Sequence, residues 1–237
     1  VGNTTAAIGK GFAIGSGALA ALALMISYLY SFNDFNTPLI LNIIQPMTLA
    51  GAVIGGALPF LFSGILIEAV AKAARKMVDE VRRQFREIPG LLSGEAKPDY
   101  KTCIEISSKG AIGEMKMPSL LAILVPVACG FLLGPHFVGG LIIGSTICAI
   151  MIAIFAGNAG GAWDNGKKYI ETGAIEGHDR HSAAHDAAII GDTVGDPLKD
   201  TVGPCLDIFI KMMATVSLVT VAVFANNNLL AWLGITL

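Results

Sequence analysis

Five stretches of this chain are apolar over lengths that suit a lipid bilayer, and nothing else in the sequence restricts the fold as much. A hydrocarbon core of about 30 Å takes roughly 20 helical residues at 1.5 Å each. The stretches cover residues 4–31, 46–87, 118–133, 137–171 and 182–225. The second ends in a polar extension and the third is short. Residues 229–237 are too few to span. Only 14% of the residues are charged and the mean hydropathy is +0.67, against about 25% charged in soluble domains. The 28 glycines suit helices that must approach one another closely in lipid. The expected fold is an all-α membrane protein, a polytopic transmembrane helix bundle with about five long helices.

Lysine and arginine set the orientation. Residues 32–45, 134–136 and 226–237 contain none of the 16, whereas 72–116 and 167–180 hold most of them. Loops 88–117 and 172–181 are therefore expected to be cytoplasmic, with the start of the chain cytoplasmic and Leu237 external. Glu68, Lys72, Arg75, Lys76, Asp79, Glu80 and Arg83 form opposite-charge pairs three and four residues apart. The second helix should thus continue out of the membrane until Pro89-Gly90 stops it. Residues 91–117 read as a polar loop. A net charge of −2 argues against a nucleic-acid partner. The chain opens VGNTTAA without Met, so an N-terminal portion of the same subunit is expected to precede it.

The chemistry concentrates in DTVGDPLKDTVGPCLDIFIK, residues 192–211. Asp192, Asp196, Lys199 and Asp200 fall at i, i+4, i+7 and i+8, one face of a helix. Asp207 and Lys211 continue that face into apolar sequence, where charges are costly and mark an ion path or a reaction site. Two further polar clusters should meet this stripe if the helices bundle. One is Gly2-Asn3-Thr4-Thr5 with Lys10; the other is Gly160 to Lys168 with Asp164 and Lys167. Together they offer oxygen ligands in Asn3, Asp164, Asp192, Asp196 and Asp200, and cations in Lys10, Lys167 and Lys199. Carboxylates this dense repel one another unless hard divalent cations, Mg²⁺ before Ca²⁺, stand between them. The interspersed lysines suggest that such metals hold an oxygen-rich anion, most simply a phosphate. His178, Asp179, His181 and His185 have spacing that suits Zn²⁺, but read as a polar hinge before a helix capped by Ser182.

GNTTAAIGKGFAIGS, FREIPG, GGAWDNGKKYIE and GDTVGDPLKDTVGP resemble signature blocks of the membrane-integral pyrophosphatases, ion pumps driven by hydrolysis of inorganic diphosphate. The resemblance spans almost the whole chain. It implies the last helices of a subunit of about sixteen, working as a homodimer in the cell membrane of a prokaryote. It also implies roles. Asp164, Asp192 and Asp196 resemble the family's metal ligands for several Mg²⁺, with Asn3 as another group of that site. Lys167 and Lys199 resemble the lysines that hold diphosphate. Asp200 resembles one of two aspartates that position the attacking water, its partner lying outside this sequence. Lys211 resembles the lysine of an ion gate below the hydrolytic site.

Two positions subdivide the resemblance. Ala6, with Gly9 three residues on, matches the class activated by K⁺; other members carry a lysine there, whose ammonium can replace the ion. Asp207, four residues before Lys211, is common in members that pump Na⁺, while many proton pumps have Asn. The implied activity is a K⁺-dependent diphosphatase that exports Na⁺, with Na⁺ also an activator; H⁺ is the alternative cargo. A secondary ion transporter using the same stripe without hydrolysis is the rival of another class. It does not explain why so many oxygen groups and lysines gather at the membrane surface.

Overall fold

The computed structural model describes residues 2–31 and 37–235, with the side chains of Asn3, Thr4 and Ala6 outside that description. The elements in order are α1 (Gly2–Tyr30), α2 (Pro46–Glu87), α3 (Tyr100–Glu114), α4 (Lys116–Glu171), α5 (Ala183–Pro197), a π turn (Leu198–Val202), α6 (Gly203–Phe224) and the short α7 (Leu229–Trp232). Among the described residues there are four helical runs long and apolar enough to cross a membrane, where the sequence suggested five. The difference is α4, which is continuous in hydrogen bonding but turns back at Gly134, with φ 79° and ψ −178°. Only glycine takes that conformation without strain, and the following Pro135 forbids the helical one. Ala122 before the turn and Ala153 after it share a buried cluster with Val202, Leu206 and Phe209. Nearer the turn, both Gly130 and Ile142 lie by the end of α6, around Phe224. The arms 116–133 and 135–171 are therefore antiparallel, and the expected division at 134–136 falls on the break.

Glycine decides how closely the second arm approaches α2. A methyl group at position 51 would lie 2.1 Å from the Phe137 carbonyl oxygen, and one at position 144 would lie 2.0 Å from that of Ala52. The backbones touch, which is how helices gain contact in a medium that gives no hydrophobic drive to associate. α1 buries Ile14, Gly17, Ala21 and Tyr28, a single face by their spacing of three, four and seven. Tyr28 Oη donates to the Pro135 carbonyl at 2.8 Å, which fastens α1 to the hairpin turn. α6 lies between α1 and both arms of α4 and contributes Phe209, whose ring meets Phe62 of α2 at 4.5 Å between centroids. On the outside, Phe12, Leu19 and Phe155 remain exposed.

α2 does continue as a charged helix to Glu87. The segment read as a polar loop contains α3. Asp99 caps it, accepting from Thr102 N at 3.1 Å and Thr102 Oγ1 at 2.6 Å. The Thr102 bonds hold the Asp99 carboxyl below its usual range. Buried Gln84 ties the cap to α2, accepting from Asp99 N at 2.9 Å and donating to Asp99 O at 3.1 Å.

The last long run is not one straight helix. Pro197 and Pro204 lack the N–H groups that would bond the carbonyls of residues 193 and 200. Between them the chain widens into the π turn, a form often found at functional positions. The two prolines and the π turn divide the run between its polar and apolar parts.

Candidate active site

Close crossing of two helices builds the site. At Gly160 of α4 a methyl group would sit 2.5 Å from the Gly195 carbonyl oxygen and 2.7 Å from Lys199 Cβ. The Trp163 ring, also on α4, would lie 2.8 Å from a methyl group at Gly195 and 3.4 Å from one at Gly191. With no side chains between them, α4 and α5 bring Asp164, Lys167, Asp192 and Asp196 onto one cavity. The π turn adds Lys199 and Asp200, and α1 adds Ala7 and Lys10. The cavity measures about 320 Å³, and Gly157, Gly161, Asn165 and Lys168 complete its wall. Lys10 of the first polar cluster thus meets residues of the second cluster and of the stripe on one cavity.

Charges alternate around this cavity. Lys199 Nζ lies 2.7 Å from Asp196, 2.9 Å from Asp164 and 3.7 Å from Asp192. Lys167 bonds Asp192 and stands 3.7 Å from Asp164. Lys168 reaches Asp164 at 3.1 Å. Lys10 bonds Asp200, a pairing across 190 positions of sequence. Four carboxylates face four ammonium groups, Asp164, Asp192, Asp196 and Asp200 against Lys10, Lys167, Lys168 and Lys199. The stripe of the sequence also divides here. Lys199 turns toward α4 while its neighbour Asp200 turns toward α1.

The donor set can be tested for a hard cation. Among the described residues no three His, Cys, Asp or Glu side chains form a preassembled metal cluster, because lysines stand between the carboxylates. Yet Asp164 and Asp192 are each only 6% exposed, and Asp192 Oδ1 is buried with no hydrogen-bond donor. A buried carboxylate oxygen without a donor is costly, and a cation in the cavity would satisfy it. The residues fit such a guest. Gly9 is exposed, and a methyl group there would meet nothing within 4 Å. Asn3 and Ala6, named from the sequence, lie outside the described side chains.

Asp207 and Lys211 pair with each other at 2.7 Å, one turn apart on α6. A small void of about 30 Å³ is lined by Lys10, Lys199, Gly203, Pro204 and Asp207, so Asp207 and two lysines of the large cavity share a wall. Glu68 pairs with Lys72 at 2.9 Å on the charged side of α2. Ser182 caps α5, accepting from His185 N at 3.2 Å. The His185 ring in turn meets Glu171 at 3.1 Å, which ties the end of α4 to the start of α5. Gly160 and Trp163 stand in the polar cluster read from the sequence, but their packing against Gly195 was not read there; the small-residue pairing GG and G-x-x-x-G beside the acidic motifs was the available signal. Nor could the sequence pair Lys10 with Asp200.

A family profile described as inorganic H⁺ pyrophosphatase matches residues 1–220. The chain is 56% identical over 236 residues to a protein of Thermotoga maritima named K(+)-stimulated pyrophosphate-energized sodium pump, covering 97% of this chain and 32% of that protein. It is 49% identical over 218 residues to the K(+)-insensitive pyrophosphate-energized proton pump of Methanosarcina mazei, covering 92% and 32%. It is 45% identical over 238 residues to pyrophosphate-energized membrane proton pump 3 of Arabidopsis thaliana, covering 94% and 29%. The chain thus spans about a third of the length of these relatives, which include pumps for both cations.

Proposed function

The chain belongs to the inorganic H⁺ pyrophosphatase family, and from this we propose that it supplies part of the hydrolytic site and of the ion path of a pyrophosphate-driven, K⁺-stimulated Na⁺ pump. The observation that carries the reading is the cavity where Asp164, Asp192, Asp196 and Asp200 alternate with Lys10, Lys167, Lys168 and Lys199. Such a wall binds an anion and cations together. An incoming diphosphate draws Lys167 and Lys199 onto its oxygens, and the carboxylates they leave become free for metal. Asp164, Asp192 and Asp196, with Asn3, would hold Mg²⁺, which when bound neutralises the diphosphate and polarises its P–O bonds. Asp200, with an aspartate from the rest of the subunit, orients the attacking water and takes up its proton. Lys10 keeps Asp200 at the cavity wall. The subunit pairs as a homodimer in a prokaryotic cell membrane, with the cavity and the start of the chain cytoplasmic and the C-terminus external.

The test is phosphate release from diphosphate by the full-length polypeptide in membranes with Mg²⁺. No release above background would remove the enzyme reading and leave a secondary transporter. Na⁺ as cargo rests on Asp207 and on the name of the Thermotoga relative; H⁺ is the second reading, favoured by the proton pumps among the relatives. Diphosphate-driven ²²Na⁺ uptake into inverted vesicles that persists with a protonophore supports Na⁺. Acidification of the lumen without Na⁺ uptake selects H⁺.

A further inference from the structure

Asp207 is not fixed by Lys211 alone. Its other oxygen, Oδ1, is buried without a hydrogen-bond donor. What lies against it is the backbone of α1 at Gly17: a methyl group there would fall 1.3 Å from Oδ1, 2.5 Å from Cγ and 3.2 Å from Oδ2 of Asp207. Gly17 belongs to the inward face of α1, between buried Ile14 and Ala21. Elsewhere on that helix the room is ample, since Gly9, Gly11 and Gly15 would each accept a methyl group with nothing within 4 Å. The helix lacks a side chain where the carboxylate presses on it, and the carboxylate touches no other glycine in this way among the described residues.

We propose that Gly17 is a positioning residue for the Asp207–Lys211 ion pair: α1 is notched at this one place so that its backbone holds the Asp207 carboxylate against Lys211. Any side chain at position 17 forces the carboxylate to rotate away. Because the side chain is short, the rotation moves both oxygens and lengthens the 2.7 Å contact with Lys211. The notch thus restricts which cations the pair admits, since the carboxylate already rests on the α1 backbone and cannot swing further toward it. The transport part of this inference rests on the reading of Asp207 and Lys211 as part of an ion path; the positioning part does not.

The test is a mutant cycle in the full-length protein, read first by thermal unfolding in detergent and then by ions moved per phosphate released in proteoliposomes. In a helix interior Gly→Ala favours the helix, so a position that merely packs loosely would gain stability. We expect Gly17→Ala to lower the apparent unfolding midpoint in the wild-type background by roughly 2–4 °C, and again with Asp207→Asn, which keeps the shape. With Asp207→Ala the same change should be neutral or stabilising, because the clashing group is gone. A loss of equal size in the Asp207→Ala background, or no loss with Asp207 present, overturns the proposal. In vesicles, Gly17→Ala should reduce the ions moved per phosphate at least twofold; an unchanged ratio removes the transport part while the unfolding cycle stands on its own. Failure of the wild-type protein to release phosphate would count against the enzyme reading and not against the cycle.

Discussion

At the polar end of α5, Lys199 has carboxylates of Asp164, Asp192 and Asp196 within 4 Å, and Asp164 in turn has Lys167, Lys168 and Lys199. On α6, Asp207 has Lys211 as its ion-pair partner and a buried oxygen with no donor. The two arrangements sit on one run of chain separated by the π turn, and they respond to loss in opposite ways. At the centre of the network Asp164, Asp192, Lys167 and Lys199 each have more than one partner, so a deletion there is shared among several neighbours. In the pair a deletion leaves an unpartnered charge in apolar surroundings, which is the costly case. Redundancy suits a site that must release its internal partners to take up ligands of both signs. Isolation suits a site that must hold one cation at a time.

The largest effect is expected at Asp200, which pairs with Lys10. Asp200→Asn should lower phosphate release by about 10²–10⁴-fold, the usual scale of a lost general base, while diphosphate still binds. Turnover near wild type would remove Asp200 from the chemistry. Lys211→Ala should come next in size. It strands Asp207, so ions moved per phosphate should fall well below the wild-type value with diphosphate affinity little changed. An unaltered ratio at normal turnover would show that the isolated pair is not on the ion path.

Ala6→Lys sharpens the crowded end by adding a fixed cation to it. Phosphate release should lose its stimulation by K⁺, measured by titrating K⁺ at constant ionic strength; a fully active variant that still requires K⁺ contradicts the assignment of Ala6. The smallest effect is expected from Lys168→Met. Lys168 is half exposed, and Asp164 retains Lys199 and Lys167. An exposed pair contributes about 0–1 kcal/mol, so the diphosphate KM should rise by no more than about fivefold. A loss of a hundredfold would mean that the network has no redundancy and that the contrast with α6 fails.

The extent to which all this was legible differs by element. The apolar runs and the charged extension of α2 follow from composition and helical period, which act locally. α3 was missed because YKTCIEISSKGAIGE has only a weak apolar face; its cap, Asp99 with Thr102 three residues on, was the readable sign. The acidic and lysine blocks announced a site, and their convergence at one end was expected. The division of the stripe was signalled by Pro197 and Pro204, which can bend a helix, but which charge turns to which neighbour depends on the π turn between them.

The chain's local pattern was enough for the long apolar helices, for where their polar ends lie and for which family the chain resembles, since hydropathy, turn residues and motif order are properties of neighbouring positions. Tertiary structure alone decided the partners. Lys10 meets Asp200 because α1 packs beside the π turn. Asp164 meets Lys199 because Gly160 and Gly195 let two backbones cross in contact. Asp207 rests on Gly17 because α6 runs against the inward face of α1. Each pairing joins positions far apart in the chain, and only the distance and angle at which helices pack can select it.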